Sequence, residues 1–77
     1  MVLACVLIGC KAGKYSKVVN ELKRLKDVKK ALGVHGRWDV VAEVMATDLK
    51  ALGDIALKIN GLDGVMASET LIAFGEG

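Results

Sequence analysis

Apolar residues enter this chain as a solid block and then change period. Val2 to Ile8 (VLACVLI) is an unbroken apolar run rich in β-branched residues, the pattern of a strand buried on both faces. Lys11 to Lys14 (KAGK) interrupts it as a turn, with Gly13 as the breaker. From Tyr15 onward, Tyr15, Val18, Val19, Leu22 and Leu25 recur at helical spacing, while Lys17, Glu21, Lys23 and Arg24 are left to face water. Val28 to His35 reads as a shorter strand, Gly36 and Arg37 as a tight connection, and Trp38 to Ala46 as a valine-rich strand that closes a hairpin. Thr47 is placed to cap a second helix, and Asp48 to sit at the positive end of its dipole. Leu49, Leu52, Ile55, Ala56 and Ile59 form the apolar stripe of that helix, and Gly61 is its stop. After an Asp63–Gly64 turn, Val65 to Phe74 is the last strand.

The order β-α-β-β-α-β predicts an α/β (α+β) domain on the ferredoxin-like plan, with a four-stranded antiparallel sheet. Right-handed crossovers place both helices on the same face of that sheet. The other face is left bare, yet neither face of the outer run suits water. In the first strand one side carries Val2, Ala4, Val6 and Ile8 and the other Leu3, Cys5 and Leu7. The last strand offers Leu71 and Ala73 on one side, Ile72 and Phe74 on the other. An exposed apolar sheet of several hundred Å2 marks an interaction surface. Two sheets are therefore expected to pack face to face in a symmetric dimer.

Composition sharpens this picture. Seventy-seven residues allow one domain, and 53% of them are hydrophobic. A domain of this size buries only ~60% of its unfolded surface, so the excess apolar residues point to a partner subunit. Met1 to Cys10 is too short to span a bilayer, which takes ~20 apolar residues, and no basic segment precedes it as a signal peptide would require. A cytoplasmic protein with no membrane partner is the expectation. Net charge is +2 but uneven: Lys11 to Lys30 carries +6, and the chain from Ala31 onward −4. No aromatic residues interleave with Lys14, Lys17, Lys23, Arg24, Lys26, Lys29 and Lys30, so a solvated helix face explains them better than a nucleic-acid surface.

Catalytic and metal chemistry finds little to work with. His35 is the only histidine, and Cys5 and Cys10 match no zinc spacing; they read as a core thiol and a strand-end residue. Gly9 to Tyr15 is one residue short of a phosphate-binding P-loop and has Tyr15 where a magnesium-holding hydroxyl belongs. No paired-carboxylate, His/Asp or Cys/His constellation stands out for acid–base work. Neither a cofactor nor a catalytic residue is expected.

One stretch carries a more specific pattern. Val34-His35-Gly36-Arg37-Trp38-Asp39-Val40-Val41-Ala42-Glu43-Val44 resembles the "V-x-G-x-[YW]-D-[IV]" hairpin of the Lrp/AsnC ligand-binding domain, also called the RAM domain. Ala67-Ser68-Glu69-Thr70-Leu71-Ile72 resembles that family's "S-x-E-T-x-[IV]" segment. The resemblance extends over nearly the whole chain and implies a single ligand-binding domain across residues 1–77, without the helix-turn-helix domain most relatives carry. Direct, specific DNA binding is then not expected, because no recognition helix is available to the major groove. The resemblance further implies homodimers that assemble into a higher oligomer, expected to be an octamer, with an amino acid or related metabolite bound between dimers. Full-length Lrp/AsnC regulators are possible co-assembly partners. Carried over by position, the ligand-facing residues are Gly36, Arg37, Trp38 and Asp39 in the hairpin and Ser68 and Thr70 on the last strand.

Those residue types suit a zwitterion. Asp39 can accept from an ammonium, Gly36 allows close backbone approach, and turn N–H groups with the Ser68 or Thr70 hydroxyls can hold a carboxylate. Trp38 and Arg37 would shape the side-chain end. Each has a plainer reading: Gly36 and Asp39 are common in turns, Trp38 can anchor an interface, and Ser68 and Thr70 can be ordinary strand residues. A small dimeric monooxygenase-like enzyme using His35 or Trp38, or a purely structural oligomer, are the competing functions.

Overall fold

The computed structural model describes residues 1–74. The elements follow the predicted order: β1 (Val2–Cys10), α1 (Tyr15–Lys23), β2 (Val28–Gly33), β3 (Val40–Ala46), α2 (Leu49–Asn60) and β4 (Val65–Ile72). The strands form one sheet in the order β2-β3-β1-β4, and each neighbouring pair is antiparallel. This is the ferredoxin-like topology. The most apolar strand, β1, takes a central place between β3 and β4, as a strand without a polar face must.

Strand register assigns the two faces. Ala4, Val6 and Ile8 of β1 lie beside Val44, Ala42 and Val40 of β3, and all are buried. Against them pack Val18 and Leu22 of α1 and Leu52, Ile55 and Ile59 of α2. Ile8, Leu22 and Ile59 have no exposed surface, and complete burial of such a side chain is worth ~1.5–3 kcal/mol. The helix-facing side is therefore the core. Leu3, Cys5 and Leu7 alternate onto the opposite, open face, where Leu3, Leu32 and Leu71 remain 39–47% exposed.

Several boundaries differ from those the sequence predicts. β1 runs two residues further, to Cys10, and β2 stops at Gly33 while β3 starts only at Val40. The hairpin connection is thus residues 34–39 rather than the Gly36–Arg37 pair. Asp39 causes this: its N–H donates to Ile8 O (2.9 Å) and its own carbonyl accepts from Val34 N–H (2.9 Å), so it anchors the loop to two strands at once. β4 ends at Ile72, not Phe74. Ala73 N–H still donates to Leu3 O (2.8 Å) beyond the strand's end, and Phe74 is fully exposed.

The second helix is capped by Asp48, not Thr47. Asp48 has extended backbone (φ −156°) and its Oδ1 accepts from Ala51 N–H at 2.8 Å. Gly61 does end the helix, though with ordinary right-handed φ (−86°). The left-handed glycine is Gly64, at φ 100°, whose carbonyl accepts from Lys11 N–H (2.8 Å) and ties the α2–β4 turn to the β1–α1 loop.

Candidate functional site

Where β1 and β2 end, two loops face each other across a cleft of about 550 Å3, a size typical of small-ligand sites. One wall is the β1–α1 loop with Cys10, Lys11 and Gly13; the other is the end of β2 and its loop with Gly33, His35 and Asp39. Tyr15 closes the helix side, its ring 3.7 Å from where a Cβ on Gly33 would stand. Gly13 (φ 76°) gives the first loop its left-handed turn, and Lys14 N–H donates to Lys11 O (3.0 Å) across it. Beyond that turn α1 begins at Tyr15; Lys14, at the capping position, gives no side-chain cap, and the first turn has no acidic residue, so the leading N–H groups keep their capacity for an anion.

Asp39 is the pivot of the site. Its Oδ2 accepts from Cys10 N–H at 2.7 Å, which satisfies the last amide of β1 with a carboxylate. A carboxylate has about four lone-pair sites, so this bond leaves capacity for a second donor on the cleft side. Burial raises the Cys10 thiol above its ordinary pKa, and the neighbouring Asp39 charge raises it further. Both effects disfavour the thiolate.

The other sequence-derived candidates scatter around this cleft. Gly36 (φ 130°) and Arg37 are exposed at the tip of the same loop, and nothing lies within 4 Å of a Cβ built on Gly36, so backbone conformation alone requires glycine there. Trp38 turns the opposite way from Asp39. Its indole covers Gly9, with Cε3 3.7 Å from that residue's Cβ position, beside Ala67 O. Ser68 and Thr70 pair with Ile8 and Val6, which puts them on the helix-facing side of β4, across β1 from the loop. Ser68 donates its hydroxyl to Asn60 Oδ1 (2.6 Å) at the end of α2. Asp39 alone of the six lines the cleft.

Lys11, Gly13, Tyr15 and His35 line the cleft but were not singled out from the sequence as ligand-facing. A signal for the first three was present: the loop from Gly9 to Tyr15 looks like a phosphate loop that falls short of one. Its glycine-and-lysine chemistry belongs to this cleft instead. Among the described residues no group of three or more His, Cys, Asp or Glu could hold a metal ion, and no helix is long and apolar enough to cross a membrane.

A ferredoxin-like sheet with one bare face and a loop-built cleft at its end defines a small ligand-binding and assembly module. Residues 3–76 match the Lrp/AsnC ligand binding domain, and the chain belongs to that family. These are ligand-binding, regulatory domains rather than enzymes. The crystal structure of TTHA0845 from Thermus thermophilus is similar over its whole length: TM-score 0.94, 32% identity, with 100% of this chain and 98% of that one covered. Escherichia coli AsnC superposes with a TM-score of 0.91 at 26% identity, over 97% of this chain and 52% of AsnC. An HTH-type transcriptional regulator, FL11 of Pyrococcus furiosus, is 28% identical over 71 residues, covering 92% of this chain and 47% of the regulator. The chain thus spans about half the length of the curated relatives it matches.

Proposed function

We propose that this chain is a cytoplasmic amino-acid-sensing module that forms sheet-paired dimers and couples ligand binding to their assembly into a larger ring, an octamer. The observation that carries this reading is the cleft anchored by Asp39, which sets a carboxylate opposite an uncapped helix start. A free amino acid carries the matching pair of charges. Its ammonium would meet Asp39, and its carboxylate the N–H groups of α1 with Lys11 beside them. Gly36, Arg37 and Trp38 would meet the ligand or the next dimer from the exposed side of the loop, and Ser68 and Thr70 would contribute from the β4 edge. Co-assembly with full-length Lrp/AsnC regulators would carry the signal to transcription.

Thermal unfolding against each of the twenty amino acids at millimolar concentration tests the reading. Ligand at ~100 times its dissociation constant stabilises by about 2.7 kcal/mol, and a ligand that favours the ring also raises the oligomer mass seen by light scattering. The response is expected for one or a few amino acids and is expected to weaken in Asp39→Asn. No stabilisation by any of the twenty would overturn amino-acid sensing.

A further inference from the structure

The basic residues from Lys14 to Lys30 do not share one helix face. Lys14 and Lys17 stand at the start of α1, where Lys17 donates to Asp63 Oδ2 (2.7 Å). Lys17, through that bond and its charge, and then Lys14 and Lys11 hold the Asp63 carboxyl below its ordinary pKa. Lys23, Arg24, Lys26, Lys29 and Lys30 lie at the far end of the helix and beyond it. Nine helical residues at ~1.5 Å each set the two groups about 14 Å apart along the axis.

Four of these far residues gather at one corner, at the pole opposite the cleft. Lys23 ends α1 and Arg24 is its C-cap. Lys26 stands in the tight turn that Val28 N–H closes on Leu25 O (3.1 Å), and Lys29 follows on the edge strand β2. Val28 pairs with Val44 and Lys30 with Glu43, so Lys29 is the extra residue of a bulge and has no cross-strand partner. All four are exposed, and none belongs to either ion pair found among the described residues, Lys17–Asp63 and Lys50–Asp54. Asp27, half-buried, is the one acidic residue in the run, while Lys30 has Glu43 beside it and stands apart on the open face. Local needs account for part of this charge: a cation near the last turn complements the helix dipole, and a lysine at a bulge guards an open edge. Each of those needs is met by one residue, whereas the fold brings four to one corner.

What the corner lacks selects its partner. No exposed large apolar residue lies between Ser16 and Ala31, so this segment has nothing to insert into a lipid surface. No aromatic side chain is there to stack on unpaired bases. The helix offers only its C-terminal end, so no element is presented along which a groove could be read base by base. We propose that Lys23, Arg24, Lys26 and Lys29 bind the sugar-phosphate backbone of duplex DNA without regard to its sequence. A duplex carries one negative charge per ~1.7 Å of its axis, dense enough to meet four adjacent cations at once, and their contact releases condensed counterions. The site is separate from the cleft and does not depend on the amino-acid reading.

Fluorescence anisotropy of the full chain with labelled duplexes of about 20 base pairs, from about 20 to 200 mM salt, tests it. Binding is expected at low salt with equal affinity for two unrelated sequences. The logarithm of the binding constant should fall against that of salt with a slope of about −3 to −4. Arg24→Gln combined with Lys29→Gln should weaken binding roughly tenfold and flatten the slope by about two. Lys14→Gln combined with Lys58→Gln removes the same charge from the opposite pole and should stay within about twofold of wild type. Equal losses in the two pairs would overturn the site, because net charge alone would then explain the attraction. No binding at about 20 mM salt, or binding that salt does not weaken, would overturn it outright. A strong preference for one of the two sequences would overturn backbone-only contact. Retention on vesicles containing about 30% phosphatidylserine, with none on DNA, would give the corner to a membrane surface instead. Circular dichroism of both double variants checks that the fold is kept, so a loss confined to Arg24 and Lys29 reports the corner.

Discussion

Removing the Asp39 carboxylate is the most informative single change, because it tests whether one side chain holds both the loop and the cleft. In Asp39→Ala the Cys10 N–H loses a 2.7 Å partner in a part-buried place. An unsatisfied buried amide costs ~1–3 kcal/mol, and a charged partner puts the loss in the upper half of that range. For a domain of this length each kcal/mol moves the melting temperature by roughly 4–8 °C, so Asp39→Ala should melt about 8–24 °C below wild type. Asp39→Asn keeps a carbonyl oxygen at the same reach and forfeits only the charge, which should cost about 1 kcal/mol or less. Circular-dichroism melts at one fixed protein concentration make the comparison, since assembly shifts the midpoint. An Asp39→Ala chain melting within about 2 °C of wild type would refute the structural role and mean that water serves the Cys10 amide equally well. Asp39→Asn is for this reason the proper variant for ligand studies: loss of binding in Asp39→Ala would confuse a collapsed loop with a lost ammonium partner.

Further outcomes follow from the same structure. Gly64→Ala combines a left-handed backbone (φ 100°) with a Cβ only 2.9 Å from Lys14 Cβ and 3.2 Å from Val18 Cγ2. It should lower stability in urea by ~2–4 kcal/mol, against ~1–2 kcal/mol for Gly13→Ala, whose surroundings are open; equal losses would show that crowding adds nothing. Asp48→Ala should cost ~1 kcal/mol of stability through the lost cap, while Thr47→Ala should stay within ~0.5 kcal/mol; the reverse order would return the cap to Thr47. In a Cys5→Ser background, the pH profile of Cys10 alkylation should lie above that of an ordinary thiol. Asp39→Asn should move it only part of the way back, because burial outweighs the Asp39 charge. As an acid whose pKa is raised by folding, Cys10 contributes stability that is present below the unfolded thiol pKa and is lost as pH rises through the folded one.

The open face also explains an apparent contradiction in the sequence, a small domain with too many apolar residues for one core. Half of the alternating side chains of β1 fill the core under the helices, and the other half stand on the opposite face. Nothing in the chain itself covers Leu3, Leu32 and Leu71 among the described residues, in keeping with a family whose members are ligand-binding and oligomerisation modules.

What the sequence determined by itself was everything set by local periodicity and chemistry. A period-two or unbroken apolar run, a helical stripe and glycine at a turn each fix an element within a few residues, because they depend on neighbours along the chain. That was enough for six elements in order, one fold, and a family resemblance carried by Gly36, Asp39 and Ser68 to Thr70. What it could not determine was set by contacts distant in the chain. Asp39 ends the hairpin strand early because Ile8 and Cys10, about thirty positions away, offer it a carbonyl and an amide. Trp38 lies over Gly9 while Asp39 bonds the Cys10 amide, and Ser68 turns to Asn60 rather than to the loop, because the register of β1 with β4 sets it beside Ile8 on the helix-facing side. The cleft joins loops separated by about twenty residues, so no spacing along the chain links His35 to the Lys11–Tyr15 loop. Only the folded sheet brings them together, since register and crossover, not sequence spacing, decide which strand ends meet.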